Sequence, residues 1–256
     1  MDAREQLAEG LRRAYRRVRL APMAYAAATG TLFSGRTPDV THLASFPEED
    51  AWGPLQRDEA LLLYAVVRAK RPRTVVEFGF HLGHSAFNFL RAMDADATLF
   101  SFDVDPGCVR IARDYFGHDP RLRFTLKSQD AVTAADVDGR PIDLLFIDAS
   151  HDLPLNQRTF AAVAPLLAPD ALVAVHDTGA WAADRLPRNP RAAAHVAAGG
   201  TGHWLDGGGY AHQPGERAFV NWVVAEQEGF QAVHFHTDRV FRHGLTLLQR
   251  GGPLEV

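Results

Sequence analysis

Five carboxylates stand at or just beyond the ends of five apolar runs: Glu77 after Thr74-Val75-Val76, Asp103 after residues 98–102, Asp130 just past 122–127, Asp148 after 142–147, and Asp177 after 171–176. In open α/β sheets ligands sit beyond the carboxyl ends of the strands, so acids at five successive ends converge on one rim. Aspartate also favours strand-to-helix turns, where it caps the next helix. That plainer reading covers one or two of the five, and a ligand site covers the set. His151 lies three residues after Asp148. Its imidazole, with an ordinary pKa of about 6.5, is suited to taking a proton from a hydroxyl near neutral pH. The alternative is a histidine that caps the following helix and stacks on a base.

The run Glu77-Phe78-Gly79-Phe80-His81-Leu82-Gly83-His84-Ser85 joins a β-branched strand to a helix through a glycine turn. Such a turn brings backbone N–H groups and a positive helix end to a ligand. The spacing is G-x-x-x-G and not the G-x-G-x-x-G of dinucleotide cradles, and Glu77 would repel a pyrophosphate. A ligand with a cationic, amino-acid-like end suits it better, and S-adenosylmethionine is the common one. Asp103, beyond this turn by about the spacing of a ribose-binding acid, is placed to accept both hydroxyls of a ribose. Ser128-Gln129-Asp130 would then lie beside an adenine.

These residues need a scaffold, and the pattern supplies one. A helix over 58–70 precedes strand 73–78, helix 84–93, strand 98–103, helix 106–115 and strand 122–127. A short helix near 131–136, strand 142–147, helix 155–167 and strand 171–176 follow. Strands alternating with helices predict a parallel sheet with right-handed crossovers. Residues 178–215 break the rhythm with prolines, glycine clusters and Trp181, His203, Trp204, Tyr210 and His212, as a lid or as ordinary loop packing. Helix 216–228 and strands 231–236 and 240–249 close the pattern, the last pair as a hairpin. Residues 1–53 are expected to form a helix over 3–20 and a loop-rich cap, and 54–256 the main domain. Arginines on the first helix suggest RNA, but a solvated face is the simpler account. Arg217, Arg242 and His243 could reach an acidic acceptor, or serve in structural ion pairs.

At 256 residues, 46% hydrophobic and 23% charged, the chain has the composition of a globular enzyme. A net charge of −4 gives no support to nucleic-acid or membrane binding. Cys108 is the single cysteine, which excludes an intrachain disulfide and fits a reducing, cytoplasmic setting. The start Met1-Asp2-Ala3-Arg4-Glu5 lacks a signal-peptide core. Lys70 and Lys127 are the only lysines among 27 cationic side chains, a bias that points to a GC-rich bacterial genome.

Glu77-x-Gly79-x-x-x-Gly83-x-Ser85, Asp103-Val104-Asp105-Pro106, Ser128-Gln129-Asp130, Phe146-Ile147-Asp148-Ala149-Ser150-His151 and Val175-His176-Asp177 together resemble class I S-adenosylmethionine-dependent methyltransferases. The nearest pattern is that of small-molecule O-methyltransferases of the catechol, caffeoyl-CoA and macrocin types, over about residues 55–250. The resemblance implies a Rossmann-like, doubly wound α/β fold with a seven-stranded sheet, mostly parallel, whose antiparallel last strand inserts between the fifth and sixth. It implies cofactor contacts from Glu77, Gly79, Phe80, Gly83, Ser85, Asp103, Ser128, Gln129 and Asp130. His151 and Asp148 would be the catalytic residues, acting on a hydroxylated small molecule, and homo-oligomerisation is left open. A divalent metal would fall to Asp148, His176 and Asp177. Oxygen ligands suit Mg²⁺, whereas His176, where relatives carry Glu or Asp, suits Mn²⁺, Fe²⁺ or Zn²⁺ better. A metal-free, hydrogen-bonded His176–Asp177 pair is the alternative. Two rival functions remain: an NAD-linked oxidoreductase, and a non-catalytic subunit that keeps the cofactor fold.

Overall fold

The chain divides into two compact units, Met1–Thr41 and His42–Val256. The computed structural model describes residues 39–47, 55–182, 210–212, 214–235 and 244–251, and the elements below are numbered within these. The helix expected over 3–20, most of the expected cap, the bulk of the 178–215 insertion, and Arg242 and His243 lie outside them.

Helix α1 (Arg57–Lys70) opens the larger unit. Strand β1 (Thr74–Phe78), helix α2 (His84–Ala92), β2 (Thr98–Asp103), α3 (Gly107–Phe116) and β3 (Leu122–Leu126) follow. Next come β4 (Ile142–Ile147), α4 (Leu153–Val163) and β5 (Leu167–Val175), then the short strands β6 (Ala180–Ala182) and β7 (Tyr210–His212). Helix α5 (Pro214–Glu226), β8 (Phe230–Phe235) and β9 (Leu245–Arg250) complete the set.

Seven strands form one sheet in the order β3-β2-β1-β4-β5-β9-β8. The pairs among β1 to β5 are all parallel, and β9 is antiparallel to both its neighbours, β5 and β8. This is the expected topology. Alternate residues of each strand serve opposite faces, as the pleat requires. Val75, Leu99, Leu144 and Phe146 pack with Leu63 and Val67 of α1, Phe89 of α2 and Cys108 of α3. Their neighbours Val76, Phe100, Leu145 and Ile147 pack with Phe160 of α4 and Phe219 and Val223 of α5. Both faces are therefore covered, which is why these strands read as mostly apolar runs without strict alternation. Among the described residues no helix is long and apolar enough to cross a membrane.

The local departures have physical causes. The single helix expected near 131–136 is two 3₁₀ turns, Gln129–Ala131 and Ala134–Val137, because Thr133 and Asp136 form a capping box that starts the second. Helix α4 ends at Val163, and a 3₁₀ turn over Ala164–Leu166 follows. Strand β5 begins at Leu167 and not 171, with a register shift against β4 between Ile142 and Leu144. The β6–β7 hairpin inside the insertion was not expected.

Candidate active site

The site grows from the turn after β1. Gly79 has φ 97°, and its N–H donates to the Phe102 carbonyl at 3.0 Å. A Cβ at this position would lie 2.1 Å from the Asp148 carbonyl oxygen, so only glycine lets the ends of β1 and β4 come this close. Gly83, at φ 79°, caps α2 with no side-chain bond, leaving the helix's first N–H groups without a capping side chain. His84 and Ser85 from that first turn line a cavity of about 390 Å³ over the strand ends.

Asp103 organises the turn. Its Oδ2 accepts from the N–H groups of both Phe80 and His81 at 2.9 Å, and Oδ1 accepts from the Asp105 N–H at 2.9 Å. Burial alone would raise its pKa, but these backbone donors outweigh it and hold the carboxyl below its usual range. His81 is held in the left-handed region, at φ 46°.

Glu77 sits beneath the turn and is fully buried. Burial pushes its pKa up to about 7, against hydrogen bonds from Ser101 and Ser85 that lower it. Its Oε2 accepts from the Ser101 hydroxyl, while Oε1 has no hydrogen-bond partner among the described residues. Of the expected cofactor residues, Gly79, Phe80, Ser85, Asp103, Ser128 and Gln129 line the cavity. Glu77, Gly83 and Asp130 do not. Glu77 lies buried beneath it, and Asp130 turns aside to the Ser128 hydroxyl at 2.6 Å and to Arg158 at 3.5 Å.

Asp148, His151 and Asp177 line the same cavity. Asp177 takes φ 57°, a left-handed turn that aspartate tolerates, one residue beyond His176, which follows the end of β5. His176 lies behind it, buried. Its Nδ1 stands 3.1 Å from Asp148 Oδ1 and 3.6 Å from Asp177 Oδ1, and its Nε2 stands 3.0 Å from Glu59 Oε2. Glu59 is fixed in turn by the Gly244 N–H at 2.8 Å. Burial works to lower the pKa of His176, yet Asp148, Glu59 and Asp177 together raise it well above its ordinary value.

The residues proposed for a metal therefore meet, with donor atoms of Asp148, His176 and Asp177 within 4.8 Å of one another. Two ligands each about 2.1 Å from one ion stand roughly 3.0–3.4 Å apart, close to the Nδ1–oxygen separations found here. Glu59 behind Nε2 stands where an outer carboxylate would orient a ligating histidine. The donor set fits a divalent cation, and a proton on Nδ1 serves the same two carboxylates in its place.

His151 Nδ1 is hydrogen-bonded to Glu216 Oε1 on α5. Glu216 is buried and burial pushes its pKa up to about 7, with the His151 bond acting to lower it and the Asp177 charge to raise it. The sequence reading missed Glu216, Glu59, His81 and Lys127. Lys127 lines the cavity and pairs with Asp136 at 2.6 Å. Arg217, a candidate for an acidic acceptor, is half-buried and outside the cavity lining, its pKa lowered by burial.

Residues 76–178 match the family model described as a methyltransferase domain. The seven-stranded sheet, with its antiparallel β9, is the class I methyltransferase fold. Among similar solved structures is the O-methyltransferase TomG of Streptomyces achromogenes, involved in tomaymycin synthesis, in complex with S-adenosylmethionine. It is 20% identical, with a TM-score of 0.55 over 78% of this chain and 82% of that one. An O-methyltransferase of Bacillus cereus in complex with S-adenosylhomocysteine is 16% identical, with a TM-score of 0.53 over 88% and 97% of the two chains. An rRNA methylase of Streptococcus thermophilus also shares the fold, at 10% identity and a TM-score of 0.51 over 75% and 95%. A relative of undescribed activity, y4gI of Sinorhizobium fredii, is 30% identical over 126 residues, 44% of this chain but 14% of the relative.

Proposed function

We propose that this chain is an S-adenosylmethionine-dependent O-methyltransferase that methylates a hydroxyl of a small molecule, of the natural-product or sugar kind. One observation carries the reading: Gly79, Ser85, Asp103 and Gln129, read as cofactor contacts, line one cavity with Asp148, His151 and Asp177, read as reacting groups.

Asp103, preset by three backbone donors, keeps acceptor capacity for ribose hydroxyls. A sulfonium methyl is already activated, so the protein's part is to align the acceptor oxygen in line with it and to take its proton. His151 is the group that takes it. Asp148, His176 and Asp177 would hold a divalent cation, which supplies polarisation of the acceptor oxygen when bound. The net charge of −4 supports acceptors other than nucleic acid, and Cys108, the single cysteine, supports a cytoplasmic setting.

Thermal unfolding with S-adenosylhomocysteine against NAD tests the cofactor. The former raises the midpoint and NAD leaves it unchanged; a shift with NAD alone would restore the oxidoreductase. Mn²⁺ raises the midpoint of the parent protein and not of Asp148→Asn, and no response in the parent removes the metal. Turnover screened over hydroxylated small molecules separates an enzyme from a non-catalytic subunit.

A further inference from the structure

Glu216 has no place in the reading from sequence, yet the fold puts it against the residue assigned the proton. Helix α5 docks on the loop that carries His151: a Cβ at Gly215 would lie 1.7 Å from the His151 carbonyl oxygen, so the helix start is pressed against that backbone. The next residue, Glu216, reaches His151 Nδ1 with Oε1. Its side chain is 5% exposed and that of His151 38%, so the carboxylate is sealed in while the imidazole meets the cavity. Oε2 of Glu216 has no hydrogen-bond partner among the described residues. A buried carboxylate needs its hydrogen-bond partners, and His151 is the side chain that Oε1 meets.

We propose that Glu216 is the positioning carboxylate of a His151–Glu216 dyad; this rests on the O-methyltransferase reading above. Glu216 accepts the Nδ1–H, which fixes the tautomer and makes Nε2 the proton acceptor. The acceptor's O–H proton passes to Nε2, the oxygen lone pair forms the O–CH₃ bond, and the C–S⁺ bond gives its electrons to sulfur. S-adenosylhomocysteine and an imidazolium result, the imidazolium is stabilised by Glu216, and the proton then leaves to solvent. Among the described residues, the charged groups that share the cavity with His151 are Asp103, Lys127, Asp148 and Asp177, with Asp152 and Arg217 next in sequence to His151 and Glu216.

The test uses the full chain with S-adenosylhomocysteine, and compares the parent with Glu216→Gln, Glu216→Asp and His151→Ala. Imidazole ¹⁵N spectra of the parent show His151 protonated on Nδ1. In Glu216→Gln its titration moves down by at least about one pH unit, because the buried negative partner is gone. An unmoved His151 titration in a folded Glu216→Gln overturns the dyad. In methyl transfer to the acceptor found by the turnover screen, Glu216→Gln lowers kcat by about 10²-fold, within the range for losing general-base help, at nearly constant KM. Glu216→Asp recovers part of it, and Glu216→Gln added to His151→Ala lowers it no further. Equal losses in Glu216→Gln and Glu216→Asp, or additive losses with His151→Ala, overturn the positioning role. Calorimetry keeps the two readings apart: if the parent fails to bind S-adenosylhomocysteine the methyltransferase reading falls, while the ¹⁵N result still judges the His151–Glu216 coupling.

Discussion

Asp103 holds the backbone of His81, 22 residues earlier in the chain, through a 2.9 Å bond from the His81 N–H, and His81 sits there at φ 46°. The carboxylate therefore has two duties, to tie down the glycine turn and to face the cavity that the turn bounds.

Asp103→Ala removes both. Calorimetric affinity for S-adenosylhomocysteine falls by about 1.5–3 kcal/mol, the range for a hydrogen bond to a charged group. Unchanged affinity would take Asp103 out of the cofactor site.

Gly79→Ala and Gly139→Ala separate close approach from backbone strain. Both glycines have positive φ, 97° and 68°. The added Cβ meets the Asp148 carbonyl oxygen at 2.1 Å at the first and nothing within 4 Å at the second. Gly139→Ala costs about 1 kcal/mol in urea unfolding, the strain alone. Gly79→Ala costs at least about 3 kcal/mol, because two strand ends must part. Equal costs would show that the β1–β4 approach is not tight.

Glu77 makes stability depend on pH. Its pKa is about 7 when folded, against an ordinary 4.5. Between those values the unfolded chain has lost the proton that the folded chain keeps, so stability falls as pH rises from 4.5 to 7 and levels off above. At about 1.4 kcal/mol per unit the loss is about 3 kcal/mol. Glu77→Gln removes this slope. Other titrating groups act alike in both proteins, so the measure is the difference between variant and parent across the window. A constant difference from pH 4.5 to 7 would mean that Glu77 stays ionised in the fold.

The sheet was legible because β1, β2 and β4 are covered on both faces and are mostly apolar on both. The start of β5 was not: Pro169 and Asp170 are exposed in its middle and look like a turn. Three-residue strands such as β6 and β7 are too short to show alternation. In the site, Gly79, Asp103, Asp148 and Asp177 could be read because a strand end announces each. Glu59 and Glu216 could not. They reach His176 and His151 across 117 and 65 residues, from helices whose local pattern reports only a cap and a first turn.

Strand β9 lies inside the sheet, between β5 and β8, although it follows both in the chain. It also supports the rim: Gly244, just before it, donates to Glu59, and Thr246 bonds to the Thr178 hydroxyl at 2.7 Å. During vectorial synthesis on a ribosome the edge of β5 stays unpaired, and Glu59 lacks one of its anchors, until residues 244–250 have emerged. A nascent chain can gather the cofactor-side turn early, but the acidic end of the cavity is assembled last. The contacts of Glu59 and Thr178 are thus complete only after β9 has emerged.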